Sequence, residues 1–435
     1  MSTAAPTSEP ASLTEPERAR IQRRVLWALT SGQIVGGAAL ASSVTVGALV
    51  VTELLGANTP WAGISVATTT TGTAFASQVL SRKMRRMGRR PGLQLGYSLA
   101  MVGAFVAAIG AEARLLPLFL VGLFVFGNGQ ASNLLARYAA ADLALPDERS
   151  RAMGRIVFAQ TFGAVGGPLL IGPAEFAGQE WLGLWKYTGP WLVGGAFFGL
   201  AALNTTLRLR PDPLVLAGGV SPAGAKMKLP SVWASLQLIG RSPKARLALL
   251  AMVVAQFVMV AEMAMTPVHM KLHGWEDLSQ YVVSAHVAGM FAFAPLVGRF
   301  ADKRGRVQSI MVGAALLIGA GMIAALSAHQ HLLLFPSMWL LGVGWNFGML
   351  GGSSLLTESI PLAERVSVQG SADLIMSFCG GAAGLSAGVI RQAVGYHMLA
   401  NLGDAAAAVL LVAAFWYLRV VSRRPAELAE VAVTG

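Results

Sequence analysis

Twelve separate stretches of about 20 mostly apolar residues run along this chain, each long enough to cross the hydrocarbon core of a bilayer. They fall near 26–51, 61–80, 92–112, 116–137, 155–176, 188–207, 246–270, 279–300, 307–327, 332–356, 367–391 and 396–419. Backbone polar groups in lipid must be satisfied within their own segment, so stretches of this length are helices. The expected fold is all-α: a polytopic membrane protein with twelve transmembrane helices. Composition agrees, because 12% of residues are charged where soluble domains carry about 25%. That excludes a soluble multi-domain enzyme, and the apolar content excludes a disordered chain. The single cysteine, Cys379, excludes a disulfide framework and a multi-cysteine metal centre.

The net charge of +12 raises the question of nucleic acid, and its distribution answers it. With the N-terminus placed in the cytoplasm and the loops assigned alternately, all but four of the 33 Lys and Arg fall on the cytoplasmic side. The exceptions are Arg114, Lys186, Lys271 and Arg391. This is the positive-inside pattern of a multi-pass protein of the cytoplasmic (inner) membrane with both termini inside. The charge therefore sets topology, and no nucleic-acid partner is expected. Residues 1–25 are polar and rich in Pro, Ser, Thr and Glu, and read as a disordered cytoplasmic tail. They contain no apolar run followed by a small-residue cleavage site, so the first span is expected to stay.

The chain also repeats. Its longest polar stretch, 208–245, contains Pro211, Pro213, Gly218, Gly219, Pro222, Gly224 and Pro230, which suits a cytoplasmic linker. It divides a six-helix bundle over 26–207 from a second over 246–420, with a tail at 421–435. Arg85-Arg86-Met87-Gly88-Arg89-Arg90 follows span 2, and Asp302-Lys303-Arg304-Gly305-Arg306 follows span 8, with the glycines 217 residues apart. Pro146, Glu148, Arg149 and Gly154 follow span 4, and Pro361, Glu364, Arg365 and Gly370 follow span 10, at an offset of 216 from Arg149 to Arg365 and from Gly154 to Gly370. Two loop pairs with nearly one offset indicate internal duplication.

Parallel six-helix repeats of this kind resemble the major facilitator superfamily, and the resemblance covers the whole chain. That family's loop signature is matched after span 8 by Gly298, Asp302, Lys303, Gly305 and Arg306. There it caps helix ends and helps hold one of two conformations. The copy after span 2 keeps Gly88 and Arg89 but has Ser81 for the glycine and Arg85 for the acid. The resemblance implies a secondary transporter that works by alternating access, as a monomer, and no enzyme. No Gly-x-x-x-x-Gly-Lys-Ser/Thr loop is present, which argues against ATP-driven transport.

Polar groups at bilayer depth are costly and each is a functional candidate. Span 7 carries Met259, Glu262, Met263 and His269, and span 8 carries His286 and Met290. Met259 and Met263, like His286 and Met290, are four apart and share a helix face. At about 1.5 Å per residue, Met259 lies about 20 Å from the cytoplasmic end of its span and His286 about 10 Å from the outer end of its own, within a core about 30 Å thick. The two sit at similar heights, and if the faces meet, thioethers and an imidazole surround one point. Soft thioether sulfur selects Cu(I), and imidazole also suits copper. Methionine pairs also fill apolar cores, and Glu262 as a partner for His286 would make a proton site instead. His269 and His273 near the outer surface are either a first contact point for an ion or interfacial residues.

Met-x-x-x-Met with His-x-x-x-Met is similar to the CcoA-type copper importers of this superfamily. Thr266-Pro267, Gly344-Trp345-Asn346-Phe347-Gly348, Gln369-Gly370 with Asp373, and Tyr138-Ala139-Ala140-Ala141-Asp142 add to the likeness. It implies copper as the transported ion, with no permanently bound cofactor, and Met259, Met263, His286 and Met290 as its ligands. Relatives in that branch include riboflavin transporters. Span 5, with Gly154, Gly163, Gly167, Pro168 and Gly172, resembles the helix-hinge motif of proton-driven drug antiporters. The arginine those antiporters carry in span 4 is absent, and Leu123 stands in its place. The expectations are thus copper uptake or, as the alternative, proton-coupled movement of an organic molecule such as a drug or riboflavin. The proton-coupling candidates are Glu262 and Asp373, and the cavity candidates Asn128, Gln130, Gln160, Trp345 and Asn346.

Overall fold

The computed structural model describes residues 14–56, 64–220, 232–275, 278–327 and 330–421. The first half contains α1 (Glu15–Leu55), α2 (Ile64–Met87), α3 (Arg89–Glu112), α4 (Leu116–Ala141), α5 (Arg149–Leu169), α6 (Ile171–Leu182) and α7 (Thr188–Arg208). Two short helices follow, α8 (Pro213–Leu216) and α9 (Val232–Arg241). The second half contains α10 (Pro243–Leu272), α11 (Ser279–Phe291), α12 (Ala294–Arg304), α13 (Arg306–Leu326), α14 (Leu334–Ser359) and α15 (Leu362–Trp416). Every expected span coincides with one of these helices or a pair of them. Among the described residues, eight helices are long and apolar enough to cross a membrane, or nine with the bent α5–α6 pair taken as one. The 55-residue α15 holds two expected spans, separated at Gly395 by a backbone φ of 87° that a helix interior does not adopt.

Several boundaries differ from the expectation. The helix of span 1 begins at Glu15, which corrects the disordered tail over 1–25: its described part is helical from that point, and residues 1–13 lie outside the described residues. The start is fixed by a capping box. The Thr14 hydroxyl and the Thr14 backbone N–H both donate to Glu17, at 2.7 and 3.1 Å, and hold its carboxyl below the ordinary range. The linker over 208–245 is partly helical, through α8 and α9, while 221–231 and the tail beyond 421 lie outside the described residues. Span 8 is broken into α11 and α12 at Ala292–Phe293. Span 5 is broken between α5 and α6 by a bend of 48° just after Gly167-Pro168, where proline removes a helix hydrogen bond.

The duplication seen in the sequence is present in the backbone. Gly88 joins α2 to α3 with φ 99°, and Gly305 joins α12 to α13 with φ 110°, a conformation that favours glycine. In the first half α1 packs on α5, α2 on α4 and α3 on α4; in the second α10 packs on α15, α11 on α14 and α13 on α14. The halves then meet through α2 against α15 and α12 against α5. Helix approach within a half uses small residues. A methyl placed on Gly127 would stand 2.5 Å from the Thr69 carbonyl oxygen, so α2 and α4 lie backbone to backbone.

Candidate functional site

A cavity of about 220 Å³ lies between the two halves. Helix α2 presents Thr69, Thr70 and Thr73 to it, which is why this span is threonine-rich rather than uniformly apolar. Gln130, Asn133 and Arg137 come from α4, Gln160 from α5 and Gln256 from α10. Trp345 on α14 donates its indole N–H to Gln256 Oε1 at 2.9 Å and stands edge-on to Phe291, with ring centroids 5.9 Å apart. Met259, Met290, Met349 and Met376 supply apolar, polarizable wall. Four side-chain amides and three threonines beside an indole face can bind a solute that is flat on one part and hydrogen-bonding on another.

One charge reaches this wall, Arg137, and it is already neutralised. Its guanidinium donates to Asp373 Oδ1 at 2.5 Å, to Ser353 Oγ at 3.1 Å and to Tyr138 Oη at 3.0 Å, and sits 4.3 Å over the Tyr138 ring. Both partners of the ion pair are buried. Asp373 and Ser353 belong to the second half, so this pair is also a tie between halves. The other ties gather at the same, basic face. Asp302 accepts from the backbone N–H groups of Ser150 and Arg151 at 3.0 and 2.8 Å, capping α5 from the opposite half. Arg306 reaches Glu358 at 3.0 Å and the Pro146 carbonyl. Arg89 donates to both Asp142 oxygens at 2.8 and 3.1 Å and to Gln369 Oε1 at 2.9 Å. Gln78 donates to Ser371 at 2.9 Å. Together these bonds seal the cavity on the basic face.

Of the expected metal ligands, Met259 and Met290 line the cavity, and Met263 and His286 are not among the lining residues. His286 is fully buried with Nδ1 3.0 Å from the Met338 carbonyl oxygen on α14, because α11 packs on α14 along this face. Two of the four expected ligands, Met259 and Met290, thus face the cavity. Among the described residues, no group of three or more His, Cys, Asp or Glu is placed to hold a metal ion. Asp373 is bound in the ion pair above, whereas neither carboxyl oxygen of the buried Glu262 has a hydrogen-bond partner.

The expected loop motif divides its work. Asp302 and Arg306 form ties, Lys303 is exposed, and Gly298 permits the contact, since a methyl there would be 2.5 Å from the Ser150 carbonyl oxygen. Gly88 lies against the Asp212 carboxyl, which accepts from the backbone N–H groups of Arg89 and Arg90. In the hinge motif, Gly154 abuts Ala294 of the second half, Gly163 abuts α1 at Gly37–Ala38, and Gly167 is buried. Pro168 stands where α5 ends, and Gly172 faces open space, so it does not serve close packing. Of the cavity candidates, Gln130, Gln160 and Trp345 line it. Asn128 instead donates to the Val125 carbonyl at 2.7 Å, and Asn346 is buried elsewhere with both amide atoms unpaired. Thr69, Thr70, Thr73, Gln256 and Arg137 escaped the sequence reading. Arg137 was hidden because it sits at the end of span 4, where it counted as one more basic loop residue.

Two duplicated halves tied together at a basic face around a central cavity are the architecture of a membrane transporter. The family model of the Major Facilitator Superfamily matches residues 29–385, and the chain belongs to that family. It is 34% identical over 418 residues to YddS of Bacillus subtilis (strain 168), described as an uncharacterized MFS-type transporter, with 95% of each chain covered. It is 27% identical over 403 residues to the riboflavin transporter RfnT of Brucella anthropi, covering 90% of this chain and 94% of that one. In fold it is similar to the human organic anion transporter MFSD10 (TETRAN), with a TM-score of 0.74 at 16% identity, covering 90% of this chain and 99% of the other. The protein is a polytopic secondary transporter of a small solute.

Proposed function

We propose that the solute is a planar organic molecule with a hydrogen-bonding periphery, of the riboflavin type, carried across the inner membrane with both termini on the cytoplasmic side. The observation that carries this reading is the cavity wall. Its amides, threonines, Trp345 and Phe291 offer hydrogen bonds and an aromatic face, and its one charge, Arg137, is already paired with Asp373. A solute bearing a free charge would find no counter-charge there. Riboflavin, a flat heterocycle with a polyhydroxyl chain, has this chemistry, and a relative of similar length is named for it.

The test is uptake of labelled riboflavin by a bacterial host that cannot make or import it, expressing this chain. Uptake above the empty host is expected. It should fall about tenfold or more in Gln160→Ala and Trp345→Ala, the loss of one buried hydrogen bond or one stacking face being worth about 1–2 kcal/mol. No uptake above the empty host ends the riboflavin reading.

Copper is the second reading, with Met349 and Met376 in place of Met263 and His286. Met259, Met290, Met349 and Met376 all line the cavity, and thioethers select Cu(I). Stoichiometric Cu(I) binding to the purified protein under reducing conditions, lost in Met259→Ala and kept in His286→Ala, would favour it over the organic solute.

A further inference from the structure

Among the described residues, Glu262 is a buried acid that the solute cavity does not use. It is fully buried in α10, outside the cavity, and neither of its oxygens has a hydrogen-bond partner. Its carboxyl lies against α15: a methyl on Gly403 would stand 2.8 Å from Glu262 Oε1. The next residue, Asp404, is close enough for the two acids to repel when both are charged, and its Oδ1 is also buried without a partner. Asp404 is in turn seated against α13, where a methyl on Gly321 would be 2.1 Å from Oδ1. One turn along α10, Met338 of α14 stands with its sulfur 3.4 Å from the Thr266 hydroxyl. None of these neighbours is a cation or a donor aimed at the acids.

A row of exchangeable groups leads from this pocket toward the face opposite the seal. Thr266, one turn along α10, shares a 2.8 Å hydrogen bond with Tyr396 Oη. The Tyr396 ring stacks on His269 with centroids 4.4 Å apart. His269 neighbours the exposed His273 at 4.3 Å and His397 at 6.2 Å, and His269 Nε2 and His397 Nδ1 are both without partners. The base that faces the row is Arg391, at the histidine end. Imidazole and hydroxyl groups pass protons, whereas the cavity wall offers none that titrates except the paired Arg137.

We propose that Glu262, with Asp404 beside it, is a proton-binding site separate from the solute cavity, loaded from the outer face through the His269–Tyr396 row. Two side-by-side acids with no donor and no cation are accommodated in an apolar interface when a proton sits on them. Loading adds one proton to a Glu262 carboxylate and gives the neutral acid; unloading reverses it, with no other reactant. The pocket joins α10, α13 and α15 of one half, so its protonation would act on the packing of that half rather than on the solute directly. This inference rests on the transporter class and is independent of the solute.

The test needs no solute. Infrared spectra of the protein reconstituted in lipid should show a protonated carboxyl band at neutral pH that Glu262→Gln removes. Asp404→Asn should move the band's titration toward acid, since a like charge has gone. Tyr396→Phe combined with His269→Ala should keep the band and slow its hydrogen–deuterium exchange severalfold. If Glu262→Gln does not fold, Glu262→Asp serves in its place, displacing the band in frequency. A band unchanged by substitution of Glu262 overturns the proposal. Loss of the band in a protein that moves no riboflavin leaves the proton site standing and removes only the solute assignment.

Discussion

The two halves meet twice at the basic face, and the meetings are built from opposite charges. Where α12 faces α5, Asp302 takes hydrogen bonds directly from the first backbone N–H groups of α5. Where α2 faces α15, the duplicated position holds Arg85, which cannot accept from a helix N-terminus and would oppose its dipole. Arg85 lies instead within electrostatic reach of Glu364 in the first turn of α15, buried and with Nε and Nη2 unpartnered. The ties on this side are side-chain bonds from other positions: Gln78 to Ser371, and Arg89, fixed by Asp142, to Gln369. A helix N-terminus can thus be held by an acid from outside or carry its own acid and face a base. The first arrangement depends on one residue, and the second distributes the tie over several.

Four substitutions would break or sharpen this contrast. A convenient reporter is the labelling rate of Ser354→Cys in a Cys379→Ser background, since Ser354 is buried in the seal with its hydroxyl 3.4 Å from the Met153 sulfur of the other half. The largest effect is expected from Arg137→Ala, which leaves Asp373 charged and alone in the interior at a cost of about 3–5 kcal/mol. Labelling should rise by at least two orders of magnitude, and Arg137→Ala/Asp373→Asn should restore part of the loss. A double variant as bad as the single would mean that the pair's charge is not what holds the gate.

Next is Asp302→Ala, which removes two charge-assisted bonds from a helix N-terminus, worth about 1–2 kcal/mol. Labelling about tenfold faster is expected. Gln369→Ala should cost about 1 kcal/mol, one bond among several on its side. An effect of Gln369→Ala larger than that of Asp302→Ala would reverse the contrast. The smallest effect is expected from Arg85→Ala, at most about 1 kcal/mol, because its Nε and Nη2 make no hydrogen bond that would be lost. Arg85→Asp should be worse than Arg85→Ala, since it sets two acids face to face. If Arg85→Asp instead slowed labelling, the acid would be capping α15 and the two gates would be interchangeable.

Much of this molecule was legible in its residues. Apolar runs of bilayer length fix the helices, since lipid leaves the backbone no other way to satisfy its polar groups. The offsets of 217 and 216 fix the duplication, and Gly88 and Gly305 carry it into matching positive φ values. Gln130, Gln160, Trp345, Met259 and Met290 were recognisable as wall residues because polar or soft groups at depth are rare. Helix facing was not legible. His286 and Met290 share one stripe of α11, yet Met290 lines the cavity and His286 is bonded to the Met338 carbonyl on α14. A few tens of degrees of rotation about a helix axis separate these outcomes, and periodicity does not set the rotation. Partners distant in the chain were equally hidden. Nothing in the local sequence announces that Arg137 meets Asp373 236 positions later, or that Glu262 comes within electrostatic reach of Asp404. The sequence by itself determined the spans and the repeat, because those follow from hydrophobicity and spacing counted along the chain. Only the tertiary structure decided which polar groups are paired and which are left alone, because that depends on how helices turn toward one another.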